Sequence, residues 1–200
     1  MVTMNSTAQH MAAMTATEYT TDPNAYIELR GDVCFMHAIW NFTEFGGALR
    51  PVAVFPTDDT FMIGTDDGAG AYYSGCYSRA NRFIIIDTAA AVRSATSGMG
   101  YTLYRNMAEV MLHEMVHQWC HENGIQDTEA DGTHNERFRD AARAHGLVCH
   151  MGTMGYNQTH VRKGHWAPFY KMAKLAPTNL ARRMRTTHMG ADVEAIVNAD

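Results

Sequence analysis

Hydrophobic residues recur at three- and four-residue spacing in three segments, and this pattern predicts three helices. The first covers residues 24–45. The second covers residues 101–122, contains neither Pro nor Gly up to Glu122, and is followed by an Asn-Gly pair typical of a helix end. The third is shorter, covers residues 135–145 and ends at Gly146. The chain therefore has a helical framework with a long central helix.

Short apolar runs bounded by Gly, Pro and Asp lie between the first two helices and predict strands. These runs are residues 52–55, 61–64, 70–77 and 82–87. Several strands followed by helices in one chain of this length favour an α+β fold with a small, mostly antiparallel sheet. The sequence shows no internal repeat.

Composition divides the chain into three parts. Residues 1–22 are polar and small, which predicts a mobile N-terminal tail. Residues 23–150 carry the predicted elements and form the expected core domain. Residues 151–200 are a basic C-terminal extension that could pack on that core.

The cysteine pattern and the hydropathy limit the cellular compartments in which the protein is expected. The four cysteines form no CxxC pair, so neither a zinc ribbon nor a disulfide framework is expected. No apolar run approaches 18 residues, and the N-terminus lacks a basic start followed by an apolar stretch. We therefore expect an intracellular protein, cytoplasmic or associated with the nucleoid or nucleus, with no membrane partner and no secretion. The sequence carries no indication of the oligomeric state.

The second helix contains the pattern HExxH, in residues 113–117. His113 and His117 are four residues apart, so both can reach one metal ion from the same helix face. Glu114 is then placed to act on a water molecule at that ion. This arrangement is typical of zinc peptidases.

A hydrolytic zinc site needs a third protein ligand and one open position. His134 is the preferred candidate, because the acidic loop of residues 126–133 can fold back and present it. Glu129 and Glu136 are the alternatives, as carboxylate ligands. His121 lies on the same helix face but is nearly collinear with the first two histidines, so we expect it at the rim.

Other residues near the pattern have possible supporting roles. Cys120, three residues after His117, is a remote alternative ligand. A carboxylate from residues 127–131, or Glu109, could orient the second ring nitrogen of a metal-bound histidine. The candidates for stabilising an oxyanion or contacting a substrate are Tyr156, His150, Arg162 and His165.

Two segments occur in an order that is more specific than HExxH alone. Residues 40–51 read WNFTEFGGALRP, and residues 132–138 read GTHNERF after the HExxH helix. Together they resemble the core of the SprT-like zinc metalloproteases, the family that includes Spartan. The usual segment around the last histidine is Gly-His-Gly-x-x-Phe. Here Thr133 and Asn135 stand where Gly is common, and the spacing of His134 and Phe138 is kept. The resemblance covers residues 24–147.

The resemblance implies a zincin-like minimal metalloprotease domain with one Zn²⁺ ion. It implies His113, His117 and His134 as ligands and Glu114 as the catalytic acid and base. It further implies an endopeptidase for protein or peptide substrates, including proteins bound to DNA, in crosslink repair or genome maintenance. In zincins a sheet edge beside the active-site helix holds the substrate. By analogy, residues 72–77 are either this edge or an ordinary core hairpin.

Charge is unevenly distributed along the chain. Residues 1–140 contain 18 acidic and 8 basic residues, whereas residues 141–191 contain no acidic residue and 8 Lys or Arg. Basic side chains interleaved with aromatic ones suit single-stranded DNA, and the alternative is that this segment neutralises the acidic body. The expected nucleic-acid contacts are Arg162, Lys163, Lys171, Lys174, Arg182, Arg183 and Arg185.

Two other functions are compatible with these patterns. The first is a processing zincin with no connection to DNA. The second is a DNA-associated binding protein in which turnover is incidental. Salt-sensitive DNA binding separates the SprT-like hypothesis from the first, and cleavage that depends on Glu114 separates both enzymes from the second.

Overall fold

The computed structural model describes residues 23–57, 62–63, 71–72, 74–88, 103–177 and 180–185. The predicted tail, residues 1–22, lies outside these ranges. Within them the chain forms five helices, none of which combines the length and hydropathy needed to cross a membrane. They are α1 (Pro23–Glu44), α2 (Leu103–Glu122), α3 (Glu136–Ala144), α4 (Lys163–Ala173) and α5 (Leu180–Arg185).

The strands form three small sheets, so the fold is α+β. The strands are β1 (Ala53–Thr57), β2 (Met62–Ile63), β3 (Ala71–Tyr72), β4 (Gly75–Ser78), β5 (Phe83–Asp87), β6 (Leu147–Gly152) and β7 (Gly155–Val161). The largest sheet has the order β1-β5-β4, in which β5 is parallel to β1 and antiparallel to β4. The pairs β2-β3 and β6-β7 are antiparallel. Most strand pairs in the described ranges are therefore antiparallel, as expected.

The three predicted helices are confirmed, with ends displaced by at most two residues. The predicted strand at residues 70–77 is divided into β3 and β4. The hairpin β6-β7 and the helix α4 had no predicted counterpart. Strand β6 continues past residue 150, where the core domain was expected to end.

An aromatic cluster attaches the C-terminal extension to the core. Trp40 of α1 packs on Phe169 of α4 at a centroid distance of 4.2 Å and on Trp166 at 5.6 Å. All three side chains are buried. The Trp40 indole Nε1 donates a hydrogen bond to the Ala108 carbonyl oxygen at 2.8 Å, which ties α1 to α2. Helix α4 thus shares one hydrophobic core with the helix that carries HExxH.

Two ion pairs and a histidine–carboxylate contact reinforce the same attachment. Arg183 of α5 contacts the carboxylates of Asp32 and Glu28 on α1, and Asp32 is fully buried. His165 Nδ1 lies 2.8 Å from Glu44 Oε2 at the end of α1. A buried carboxylate needs such a partner because its desolvation is costly. Part of the basic extension therefore balances acidic residues of the core.

Candidate metal centre

The Nε2 atoms of three histidines converge on one point. They are separated by 3.1 Å (His113 to His134), 3.3 Å (His113 to His117) and 3.0 Å (His117 to His134). Nitrogen ligands at 2.0–2.1 Å from a tetrahedral ion are about 3.3–3.4 Å apart, close to these values. The three side chains could therefore hold one metal ion.

The helix and a long-range backbone contact place the three rings. His113 and His117 share one face of α2, one turn apart. His134 is held by the start of β7 and the turn before it, because its N–H donates to the Met154 carbonyl oxygen at 3.0 Å and its own carbonyl accepts from Tyr156 N at 3.1 Å. Gly155 between these contacts has φ +71°, and a Cβ there would lie 2.1 Å from the His134 oxygen. Only glycine allows strand β7 to approach His134 this closely.

The second ring nitrogen of each histidine has its own partner. His117 Nδ1 lies 2.6 Å from Asp127 Oδ2, His113 Nδ1 lies 3.0 Å from Thr159 Oγ1, and His134 Nδ1 lies 3.2 Å from the Met154 carbonyl oxygen. Each partner can accept a hydrogen bond from Nδ1–H, which leaves the lone pair of Nε2 directed at the common point. All three rings are thus set in the tautomer that a metal requires.

Phe138 forms an apolar floor under the three rings. Its ring centroid lies 4.8 Å from that of His113, 4.6 Å from that of His117 and 4.5 Å from that of His134. Phe138 is fully buried on α3, and that helix begins at the N-cap Asn135, whose side chain accepts from Arg137 N and Phe138 N. The residue that follows His134 therefore starts the helix that supports it.

Burial favours the neutral form of the His113 and His134 rings. Desolvation, followed by the charges of His117 and His134, lowers the pKa of His113 well below its usual value. Desolvation and the charge of His117 lower the pKa of His134 to about 4. Neutral imidazole is the form that binds a metal, so the site is prepared for coordination near neutral pH.

The metal-free protein is expected to lose stability as the pH falls from 7.5 to 5. An unfolded histidine has a pKa of about 6.5, so between that value and about 4 the unfolded chain binds a proton that folded His134 does not. Folding stability should therefore fall with pH, by about 2 kcal/mol at pH 5 from His134 alone. Urea unfolding at both pH values measures this. The His134→Gln variant should show a smaller change, and equal changes in the two proteins would contradict the assignment.

Glu114 lies beside the cluster and is buried, with 5% of its surface exposed. Desolvation raises the pKa of its carboxyl group to about 7, against the lowering effect of the His117 charge and of a backbone hydrogen bond from Tyr77. A carboxyl group tuned to this range can accept and release a proton near neutral pH.

Strand β4 runs beside Glu114 at the edge of the three-stranded sheet. A Cβ at Gly75 would lie 3.1 Å from Glu114 Oε1 and 2.6 Å from Val110 Cγ1, so glycine is needed for this close approach. Part of the segment expected at a sheet edge beside the helix is thus found there. Its use by a substrate stays a prediction.

The alternative ligands have other contacts. Glu129 Oε1 accepts from Asn135 Nδ2 at 3.1 Å, and Glu136 Oε1 accepts from Arg139 Nη1 at 3.1 Å. His121 Nδ1 lies 2.9 Å from the Tyr77 hydroxyl group. The thiol of Cys120 is buried, and desolvation, followed by the charge of Asp127, raises its pKa to about 12. Among the residues that the structure describes, the three-histidine group is the one cluster suited to a metal ion.

Of the two expected sources of an orienting carboxylate, one is found at the cluster. Asp127, within residues 127–131, contacts His117. Glu109 instead accepts from Val161 N at 3.4 Å, and Thr159 contacts His113 in its place. Sequence patterns did not indicate Thr159, the Met154 carbonyl or Gly75, because each meets the site through a contact between distant parts of the chain.

The four candidates for oxyanion or substrate contacts are engaged elsewhere. The Tyr156 hydroxyl group accepts from Arg139 Nη1 at 3.2 Å, and exposed His150 stacks on His160. Arg162 Nη2 donates to the Arg143 carbonyl oxygen at 3.0 Å, and His165 pairs with Glu44. A catalytic role for any of them stays a prediction.

Of the seven basic residues predicted to contact nucleic acid, one is paired within the protein and five are exposed. Arg183 forms the ion pairs with Asp32 and Glu28 described above. The exposed group consists of Arg162, Lys163, Lys171, Lys174 and Arg182. For Arg185 the helix position alone is described. The side chains of this group face solvent.

Comparisons with known proteins return no relative. No protein-family model matches the chain. No curated protein matches it, and no solved structure matches it. The function therefore has to be argued from the geometry and chemistry of the site.

Proposed function

We propose that this chain is a zinc-dependent endopeptidase of the SprT-like, zincin-like type, with His113, His117 and His134 as ligands of one Zn²⁺ ion. The observation that carries the proposal is the convergence of three Nε2 atoms within 3.0–3.3 Å of one another beside the buried carboxyl group of Glu114. A structural zinc site has four protein ligands. Three ligands and an adjacent base favour a hydrolytic site.

The donor set favours zinc over other ions. Three neutral imidazoles at tetrahedral spacing suit Zn²⁺, whereas Mg²⁺ and Ca²⁺ prefer oxygen ligands. When bound, zinc supplies Lewis acidity to a water molecule and to a carbonyl group. The apolar floor of Phe138 and the acceptors at each Nδ1 orient the ligands before an ion arrives.

Glu114 is the proposed catalytic acid and base. Its carboxylate can take the proton of the attacking water and later deliver it to the leaving amine. Burial supports this role, because it raises the pKa of Glu114 to about 7 and so matches the group to neutral pH. No other ionisable side chain in HExxH is free for this task, since both histidines face the metal position.

An extended polypeptide is the proposed substrate. Among the described strands, β4 has β5 as its one neighbour and forms an edge of its sheet, so it can pair with a substrate strand through backbone hydrogen bonds. Gly75 lies against Glu114, which places this edge beside the proposed base. Pairing along the strand would bring a peptide bond to the metal centre.

DNA-bound proteins are the proposed substrates within the cell. The support comes from the exposed basic residues of the C-terminal extension, and above all from Lys163, Lys171 and Lys174 on α4 and its end. These cations can bind the phosphates of single-stranded DNA and so bring the enzyme to a protein on the same strand. A processing zincin without this connection would leave those charges without a role in cleavage.

The test uses purified zinc-loaded protein, a histone substrate, and single-stranded DNA that is either present or absent. We expect cleavage, its loss on chelation, and an increase with DNA that falls steeply as salt is raised. The variant Lys163→Gln/Lys171→Gln/Lys174→Gln should lose the increase and keep DNA-independent cleavage. The control variant Arg50→Gln/Arg82→Gln/Arg137→Gln removes the same number of positive charges. It should retain the increase in cleavage with DNA.

Each outcome separates the candidate functions. Cleavage that is indifferent to DNA and equal in both triple variants would favour the DNA-independent processing zincin. DNA binding without cleavage under any of these conditions would favour the DNA-associated binding protein.

A further inference from the structure

We propose that Arg79 is a positioning residue for the metal ligand His117, and that it ties strand β4 to the metal centre. The proposal deepens the proposed function, because it rests on the metal site of that function. Arg79 lies in the turn between β4 and β5, 48 residues before its partner Asp127 in the chain.

One carboxylate connects Arg79 to the histidine. Asp127 Oδ1 accepts from Arg79 Nη2, and Asp127 Oδ2 lies 2.6 Å from His117 Nδ1. The same Arg79 nitrogen lies 3.4 Å from Thr128 Oγ1. Asp127 is fully buried, whereas 41% of the Arg79 side chain is exposed. The guanidinium therefore anchors a carboxylate whose other oxygen sets the orientation of a ligand ring.

The surroundings of Asp127 explain why the anchor matters. The thiol of Cys120, which follows His117 on the same helix, is buried near Asp127: desolvation and then the Asp127 charge raise its pKa to about 12. Without Arg79, Asp127 Oδ1 would lose its guanidinium partner, and the carboxylate would be free to turn away from His117. A turn of the His117 ring would move its Nε2 atom out of the 3.0–3.3 Å triangle. The expected consequence is weaker metal binding.

Arg79 makes the last of three contacts by which β4 and the turn after it meet α2 and the loop that follows α2. Alternate residues of a strand face the same side. Gly75 packs on Glu114, the Tyr77 hydroxyl group lies 2.9 Å from His121 Nδ1, and Arg79 contacts Asp127. These contacts follow one another along α2 and the loop after it. These contacts fix the position of strand β4, which lies beside Glu114, relative to the metal ligand His117.

The experiment compares two arginines of one turn. Arg82 is exposed and lies three residues after Arg79, so Arg82→Gln removes the same charge from the same turn. Zinc affinity is measured by competition with a chromogenic chelator, and the geometry of the centre by the visible absorption of the Co²⁺-substituted protein. We expect Arg79→Gln to bind zinc about 10–100-fold more weakly and to change the Co²⁺ spectrum. Arg79→Lys should recover part of the affinity, and Arg82→Gln should match wild type.

Urea unfolding of the metal-free proteins separates positioning from folding. Arg79→Gln is expected to retain a cooperative transition like that of Arg82→Gln while differing from it in zinc affinity and Co²⁺ spectrum. Equal zinc affinity and equal spectra in Arg79→Gln and wild type would overturn the proposal. That result would leave the proposed peptidase standing, since cleavage dependent on Glu114 is measured separately.

Discussion

Replacing Glu114 with glutamine is expected to preserve zinc binding and to lower the rate of peptide cleavage by about 10²–10⁴-fold. Glutamine has nearly the same shape but cannot accept the proton of the attacking water. The three Nε2 atoms and their partners at Nδ1 do not involve Glu114, so the ligand set stays complete. Zinc content and cleavage of a fluorogenic peptide, measured on one preparation, provide both readouts.

Glu109 supplies the matched control for this experiment. It lies on the same helix, and burial raises the pKa of its carboxyl group to about 7, as it does for Glu114. Its carboxylate accepts from Val161 N and not from a metal ligand. Glu109→Gln should therefore retain cleavage. Full turnover by Glu114→Gln would remove Glu114 from the mechanism, and equal losses in both variants would point to damage to the helix.

Replacing His134 with glutamine is expected to weaken zinc binding by more than about 100-fold, the upper end of the effect of removing a supporting group. The variant keeps His113 and His117, but two nitrogen ligands one helical turn apart cannot surround an ion. Cleavage should disappear together with the metal. Zinc content after dialysis and the zinc-induced rise in unfolding temperature measure the loss, since a ligand that binds the folded state stabilises it.

His150 is the control for the loss of a histidine. It lies on the hairpin that holds His134, is exposed, and stacks on His160 away from the cluster. His150→Gln should bind zinc like wild type. Unchanged zinc content in His134→Gln would instead indicate that Glu129, Glu136 or His121 is the third metal ligand. Those side chains would then have to leave their contacts with Asn135, Arg139 and Tyr77.

The local pattern of the sequence was sufficient for helices α1, α2 and α3 and for the pair His113 and His117. Helical periodicity is a property of neighbouring residues, so α1, α2 and α3 could be predicted without knowledge of the fold. The i and i+4 spacing likewise places two rings on one helix face. For His134, the loop length and the resemblance to SprT-like proteases were needed in addition, and the structure brings it to the other two.

The hairpin β6-β7 was missed for a physical reason. Two of its residues serve the metal centre and not the hydrophobic core: Thr159 contacts His113, and the Met154 carbonyl contacts His134. A strand whose residues make such polar contacts lacks the regular alternation of hydrophobic and polar residues that predicts a half-buried strand. Helix α4 was missed because Lys163 and Lys171, which flank its buried Trp166 and Phe169, suggested a surface for nucleic acid.

The sequence by itself determined that the chain folds as α+β and that two histidines and a glutamate share a helix, because these follow from interactions between near neighbours. Only the tertiary structure decided which groups complete the centre. Thr159 meets His113 across 46 residues, and Arg79 meets Asp127 across 48. Such contacts depend on how the hairpin and the strand β4 pack on α2, and no local spacing encodes that packing.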